Sequence, residues 1–156
     1  MGTTTLPGWL KPVNRLLSAL GRIGLSVGAI HVLTVPGRRS GRPRPTPVVP
    51  LTVTGRRYVV AGLPDGDWAR NVRAAGRGVL SKGRRRQAVT LHEVGDPQER
   101  RAVMRAFPVE VPHGAQFFVT LGLVETPTPD ELAAVADRVA VFEVRAGQVR
   151  SAGRTR

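Results

Sequence analysis

The chain has 156 residues, 41% of them hydrophobic, which suffices for one domain with a real core and is too apolar for a wholly disordered chain. It contains no cysteine, which excludes a disulfide scaffold, a thiolate metal site and cysteine catalysis. Lys+Arg is 24 against 11 Asp+Glu, a net charge of +13, and this balance predicts an anionic partner: a nucleic acid, a membrane surface, or a ligand rich in phosphate and carboxylate.

The competing source of such a charge is the Arg, Ala, Gly, Val and Pro bias of a GC-rich coding sequence, so the distribution matters more than the total. Residues 1–64 hold nine basic residues and no acidic one, and Asp65 is the first carboxylate. Basic residues concentrate at Arg38, Arg39, Arg42 and Arg44, at Arg56 and Arg57, and along a run from Arg70 to Arg86.

In chain order, a polar start leads into a segment in which Leu10, Val13, Leu16, Leu17, Leu20, Ile23 and Leu25 recur at helical spacing. Arg15 and Arg22 interrupt it, and Gly21, Gly24 and Gly28 weaken it, against a transmembrane span. No convincing cleavage site follows. Residues 1–28 therefore read as an amphipathic helical segment packed on its own domain, with peripheral membrane or partner contact as the alternative.

Short β-like runs follow over 29–35, 47–54 and 57–63, rich in Val and Leu and separated by Gly- and Pro-bearing connections. Thr54-Gly55-Arg56 suits a tight hairpin. Asp67 is a candidate N-cap for a short helix over 68–75, which Gly76 is placed to end. Residues 86–94 read as another strand. Asp96-Pro97-Gln98-Glu99 and Thr128-Pro129-Asp130-Glu131 are helix starts with a capping residue, Pro at the first helical position and Glu at the third. A last strand over 138–145 sets Val139, Val141 and Glu143 on one face and Ala140, Phe142 and Val144 on the other. The pattern predicts an α+β domain over 29–146 with mostly short strands, consistent with a small barrel, and a basic flexible tail over 147–156.

Little in the chain suggests protein-borne acid–base chemistry. His31, His92 and His113 lack ligand spacing, so no metal site is expected. No nucleophile elbow, Walker loop or dinucleotide fingerprint is present. The feature to explain is Pro36-Gly37-Arg38-Arg39-Ser40-Gly41-Arg42-Pro43-Arg44-Pro45-Thr46-Pro47. Its glycines permit close backbone approach, its prolines reduce the entropy lost on ordering, and its guanidinium forks match phosphate and carboxylate oxygens. A solvated basic hairpin is the plain alternative.

The string G-R-R-S-G-R-P-R-x-T-P-V, then Tyr58-Val59-Val60-Ala61-Gly62, then Trp68-Ala69-Arg70-Asn71-Val72-Arg73-Ala74, resembles the deazaflavin-dependent nitroreductase family, flavin/deazaflavin oxidoreductases of the split β-barrel class. The resemblance runs from about Ile30 to Val94 and more weakly to the final strand. It implies binding of the deazaflavin coenzyme F-420, a hydride carrier with a phosphate and a polyglutamate tail. By the family pattern Arg38, Arg39 and Ser40 hold the phosphate and tail, while Arg44, Thr46, Pro47, Val48 and Val49 line the cofactor. Ala61, Gly62 and Leu63 approach the deazaflavin or its ribityl chain, and Trp68 and Asn71 match further contact positions.

The resemblance also implies an oxidoreductase that passes hydride to an electron-poor planar acceptor: a quinone, an enone or a nitroaromatic. An asparagine common before the proline of the loop is Thr46 here, and the tyrosines that some nitroreductases carry near the C-terminus are missing from residues 128–135. Phe117 and Phe118 are candidates for the acceptor pocket, with a core role as the alternative. Other readings are a split barrel binding FMN, FAD or haem, and a non-enzymatic nucleic-acid or membrane binder; seven aromatic residues and no reader motif argue against specific nucleic-acid binding. A cytoplasmic location, with membrane association as the variant, and a monomer or dimer complete the expectations.

Overall fold

The computed structural model describes residues 30–147; the proposed N-terminal helical segment and nearly all of the basic tail lie outside them. Seven strands build one antiparallel sheet: β1 (His31–Pro36), β2 (Pro43–Val48), β3 (Leu51–Val53), β4 (Arg56–Ala61), β5 (Arg77–Lys82), β6 (Arg85–Glu93) and β7 (Ala140–Ala146). Their order is β2-β1-β5-β6-β7-β4-β3, and the sheet curls into a half-barrel. Four helices join them: α1 (Asp67–Ala75), α2 (Pro97–Glu110), α3 (Gln116–Thr120) and α4 (Pro129–Ala134), with a single 3-10 turn at Ala136–Arg138.

The alternation of β7 explains how one sheet serves two cores. Ala140, Phe142 and Val144 join Leu33, Val35, Val59, Leu80, Val89 and Leu91 in the barrel interior, where α1 adds Ala69 and Val72. Val139 and Val141 join Leu51, Tyr58, Val103, Met104, Phe107 and Phe118 in a second cluster, against which α2, α3 and α4 pack. Strand β4 divides in the same way, with Val59 and Ala61 inward and Tyr58 outward. Because period-2 side chains meet a layer on each face, both strands read as nearly continuous apolar runs.

The basic segment departs from its expected form. Residues 43–48 are not loop but an edge strand, paired from Pro36↔Pro43 to His31↔Val48. Alternate residues of an antiparallel strand make no hydrogen bond to the neighbour. Pro43, Pro45 and Pro47 occupy one such alternate set, and an edge strand needs no donors on its far side. The strand expected over 47–54 is accordingly two strands, broken at Val49 and Pro50.

The remaining differences are local. The N-cap of α1 is Gly66, and Asp67 is its first residue. Gly76 ends that helix in the left-handed conformation, φ 64°, as expected. The Arg-rich stretch from residue 77 contains β5, paired to β6 across a two-residue turn from Lys82↔Arg85 to Arg77↔Thr90, with Gly83 at φ 59°. In the β3–β4 hairpin Thr54 and Gly55 both take positive φ, 48° and 79°, the combination that matches strand twist in a two-residue turn. Asp96 and Thr128 cap α2 and α4 as expected, accepting from the backbone N–H of Gln98 at 2.9 Å and of Glu131 at 3.3 Å.

Arg100 ties the helical layer to the sheet. Its guanidinium donates to the carbonyl oxygens of Val94 (3.2 Å), of Ala136 (3.0 and 2.8 Å) and of Val139. Three carbonyls at the ends of β6, the 3-10 turn and β7 thus receive charged donors where no regular ladder reaches them.

Candidate functional site

A cavity of about 750 Å³ opens between edge strand β2, the end of β4, helix α1 and the α2–α3 corner. That volume lies in the range of small-molecule and cofactor sites. Its wall brings together Arg38, Arg39, Ser40, Arg44, Thr46, Pro47, Val48, Val49, Gly62, Leu63, Trp68, Asn71, Phe117 and Phe118, residues from five separate stretches of chain. Ala61 is the exception among the residues expected there: it is 1% exposed and faces the barrel interior. Asp67, Val60 and Phe107 also line the cavity. Asp67 carried only a capping signal in the sequence, and the helical apolar face of α2 gave Phe107 no mark distinguishing it from core.

The β1–β2 turn is held by its own backbone and then docked on α1. The Gly37 N–H donates to the Arg42 carbonyl and the Gly41 N–H to the Gly37 carbonyl, both at 2.8 Å. The Arg42 N–H donates to Ser40 Oγ at 3.2 Å. Gly41 sits at φ 70°, where a side chain would be strained. Docking centres on Asn71, a buried polar residue whose Oδ1 accepts from the backbone N–H of Arg38 (3.1 Å) and from its Nη1 (2.9 Å). Asp67 completes the cradle, its Oδ1 taking Arg38 Nη2 at 3.1 Å. Arg38 is therefore aimed, while Arg39 and Arg44, both exposed, have no carboxylate partner among the described residues.

The apolar part of the wall has a different construction. A Cβ on Gly62 would lie 2.6 Å from Leu121 Cδ1 and 3.1 Å from Phe117 Cε1, so glycine lets the α3 corner close over the end of β4. Phe118 packs edge-to-face on Phe107 at 5.0 Å and is both core and wall. Phe117 stays 38% exposed on the cavity side. Trp68 likewise does two things, packing on the barrel core and against Phe142 at 6.0 Å while also lining the cavity.

The other polar clusters lie away from this wall. Tyr58, on the α2 side of the sheet, donates from its hydroxyl to Glu99 at 2.8 Å. Burial, reinforced by the Glu99 hydrogen bond, pushes its phenol up to about 12. Glu143 is held below the usual carboxylate range chiefly by its hydrogen bonds from Arg145. Among the described residues no group of three or more His, Asp or Glu is placed to hold a metal ion, and no helix is long and apolar enough to cross a membrane.

Solved structures share this architecture. A domain-swapped dimer superposes with a TM-score of 0.53 at 23% identity over 86% of this chain and 95% of its own. The conserved hypothetical protein Rv2991 of Mycobacterium tuberculosis gives 0.53 at 11% identity, covering 95% and 86%. A Listeria innocua protein assigned as a pyridoxamine 5'-phosphate oxidase gives 0.51 at 11% identity, covering 86% and 93%. No curated protein matches the chain.

The curled sheet with its edge cavity is thus a split β-barrel. A family model described as F420H(2)-dependent quinone reductase matches residues 13–117. The chain belongs to that family; it is a deazaflavin-dependent reductase, and its coenzyme is F-420. The cavity fits such a group. Arg39 and Arg44 are cations that no protein carboxylate neutralises among the described residues, which suits a polyanionic chain. The apolar wall from Val60 to Phe118 suits a flat ring system.

Proposed function

We propose that this cavity binds F-420 with its phosphate and tail on the β1–β2 turn and its ring system against the apolar wall, and that the protein reduces a small planar acceptor there. Arg38, Arg39 and Ser40 take the anionic groups. Arg44, Thr46, Pro47, Val48 and Val49 line the coenzyme along β2, and Gly62, Leu63, Trp68 and Asn71 complete its seat. Ala61 acts from behind the wall, setting the course of β4. The observation that carries this reading is a cavity in which Arg39 and Arg44, exposed and without a carboxylate partner among the described residues, meet an aromatic wall.

When bound, the reduced coenzyme supplies hydride. The chain's own work is to bind and orient. The docked Arg38 and the stiff β2 strand fix the anionic end, so that little ordering entropy is lost on binding. Gly62 lets Phe117 and Leu121 approach, narrowing the site to a planar guest. Phe117 and Phe118 contact the acceptor, an electron-poor ring such as a quinone, an enone or a nitroaromatic, and exclude water from the reacting faces. The experiment is direct: purified protein is titrated with F-420 and with FMN, and oxidation of reduced F-420 is followed as naphthoquinone is added. Tight F-420 binding with acceptor-dependent oxidation is expected. Tight FMN binding without affinity for F-420 would overturn the coenzyme seat proposed here.

A further inference from the structure

We propose that Arg73, which does not line the cavity, is a positioning residue for the coenzyme seat: its guanidinium ties the turn over 62–66 to α1 and β6 and so fixes Leu63 relative to Trp68. This role rests on the reductase reading above for what fills the seat, whereas the tie itself belongs to the coenzyme-free protein.

Arg73 lies in the last turn of α1, and its fork is shared between two elements. Nε donates to both carboxylate oxygens of Glu93, at 3.2 and 2.9 Å, and Nη2 lies 2.8 Å from Oε2. Nη1 donates instead to the Pro64 carbonyl at 2.6 Å. The guanidinium carbon stands 5.9 Å from the centre of the Phe142 ring, and that ring packs on Trp68 at 6.0 Å. Glu93 ends β6 and is paired with Phe142 of β7, so the anchor point is the sheet itself. Leu63 and Trp68 are both wall residues, and Arg73 stands behind each of them.

The turn has little else to hold it. It leaves β4 at Gly62 and enters α1 at Gly66, which caps the helix without a side-chain hydrogen bond. Within it the Gly66 N–H donates to the Leu63 carbonyl at 3.1 Å. Among the described residues, the Arg73 bond to Pro64 is the one side-chain hydrogen bond that the turn receives. Leu63 is 60% exposed, so its burial contributes little to fixing it.

Stability alone is a poor account of this arrangement. The side chains of Arg73 and Glu93 are 35% and 38% exposed, and ion pairs open to solvent contribute little. What the fork adds is geometry: one rigid plane meets a carboxylate and a carbonyl at once, which a lysine ammonium does not reproduce. A ring system seated on a turn already in place loses less ordering entropy than one that must close a loose turn. A reacting group held loosely also loses rate, because fewer bound geometries are productive.

The test uses the full chain with Arg73→Lys, which keeps the charge opposite Glu93 and gives up the Pro64 bond, and with Arg73→Met, which gives up both. In the coenzyme-free protein, hydrogen exchange at the Gly66 amide is expected to quicken about tenfold in both variants, as the loss of one charged hydrogen bond implies. The amides within α1 are expected to keep the parent's rates in Arg73→Lys. Affinity for F-420, read by coenzyme fluorescence, is expected to fall about tenfold in both. In Arg73→Lys its dependence on salt is expected to match the parent's, because Arg38, Arg39 and Arg44 are undisturbed. Oxidation of bound reduced F-420 by a naphthoquinone in a single turnover is expected to slow by about tenfold or more. Variants that melt early yet bind and react as the parent does would overturn the proposal and leave Arg73 a stabilising residue only. A salt dependence that weakens together with affinity in Arg73→Lys would also overturn it, since the damage would then have reached Arg38 through α1. A parent protein without affinity for F-420, in which Gly66 exchange still responds to Arg73→Lys, would instead overturn the reductase reading and leave the tie standing.

Discussion

Asn71 is the residue whose replacement tests most about the coenzyme seat. Its Oδ1 receives the Arg38 backbone N–H at 3.1 Å and the Arg38 guanidinium at 2.9 Å. A neutral bond of this kind contributes about 1 kcal/mol and a charged one about 1.5–3, so Asn71→Ala forfeits roughly 2–4 kcal/mol in total. The β1–β2 turn keeps its internal Gly37–Arg42 and Gly41–Gly37 bonds; what is lost is its docking on α1. Each 1.4 kcal/mol of that loss paid again on binding is about tenfold in affinity. The dissociation constant for F-420 is therefore expected to rise about 10- to 100-fold, with a fall of a few degrees in Tm. Asn71→Asp keeps the acceptors, so Tm is expected to hold, while affinity still drops because the new carboxylate neutralises Arg38. Fluorescence titration beside calorimetric melting separates the two effects. An Asn71→Ala protein that melts early but binds F-420 within about twofold of the parent would show that the bond serves stability alone.

Other predictions follow from the same geometry. Arg38→Glu with Arg39→Glu is expected to abolish measurable F-420 affinity, whereas Arg84→Glu with Arg86→Glu, exposed on β6 and the turn before it, should leave it nearly unchanged; equal losses would mean that bulk charge governs binding. Arg100→Met leaves the carbonyls of Val94, Ala136 and Val139 without their donor and is expected to cost about 3 kcal/mol, read as a lower denaturation midpoint with an unchanged denaturant slope. Tyr58, the only tyrosine, is expected to titrate near 12 rather than 10, as followed by tyrosinate absorbance. Its folded form favours the proton, so its contribution to stability is whole below pH 10 and is lost, by about 3 kcal/mol, as pH rises to about 12. An inflection at the ordinary phenol value would refute the buried Tyr58–Glu99 arrangement.

Several features were legible locally because local chemistry decides them. Asp96-Pro97 and Thr128-Pro129 mark helix starts through caps that need only the next three residues. Gly76 marks a helix end because it tolerates the left-handed conformation. The two faces of β7 follow from strand alternation. Edge strand β2 was hidden because three prolines in six residues look like a stiff loop, and only pairing with β1 shows that each falls at a position that donates nothing to its neighbour. Strand β5 was hidden by the charged Arg77 and Lys82 at its ends and by Gly78, which leave Leu80 as its one buried residue.

By itself the sequence determined the chemical character of the site: an acid-free first 64 residues, guanidinium groups clustered on a Gly/Pro turn, and a chain poor in groups that could act as acids. Those are properties of composition and spacing, and no folding changes them. Tertiary structure alone decided which charges are aimed and which are free. Asp67 and Asn71 lie 29 and 33 residues from Arg38, and only the packing of α1 beside the β1–β2 turn brings them to it. Phe107, Phe117 and Phe118 became a wall only because Gly62 lets the α3 corner close on β4. Contacts between distant segments carry no local signature, since their energy exists only once the sheet has curled and both of its faces are covered.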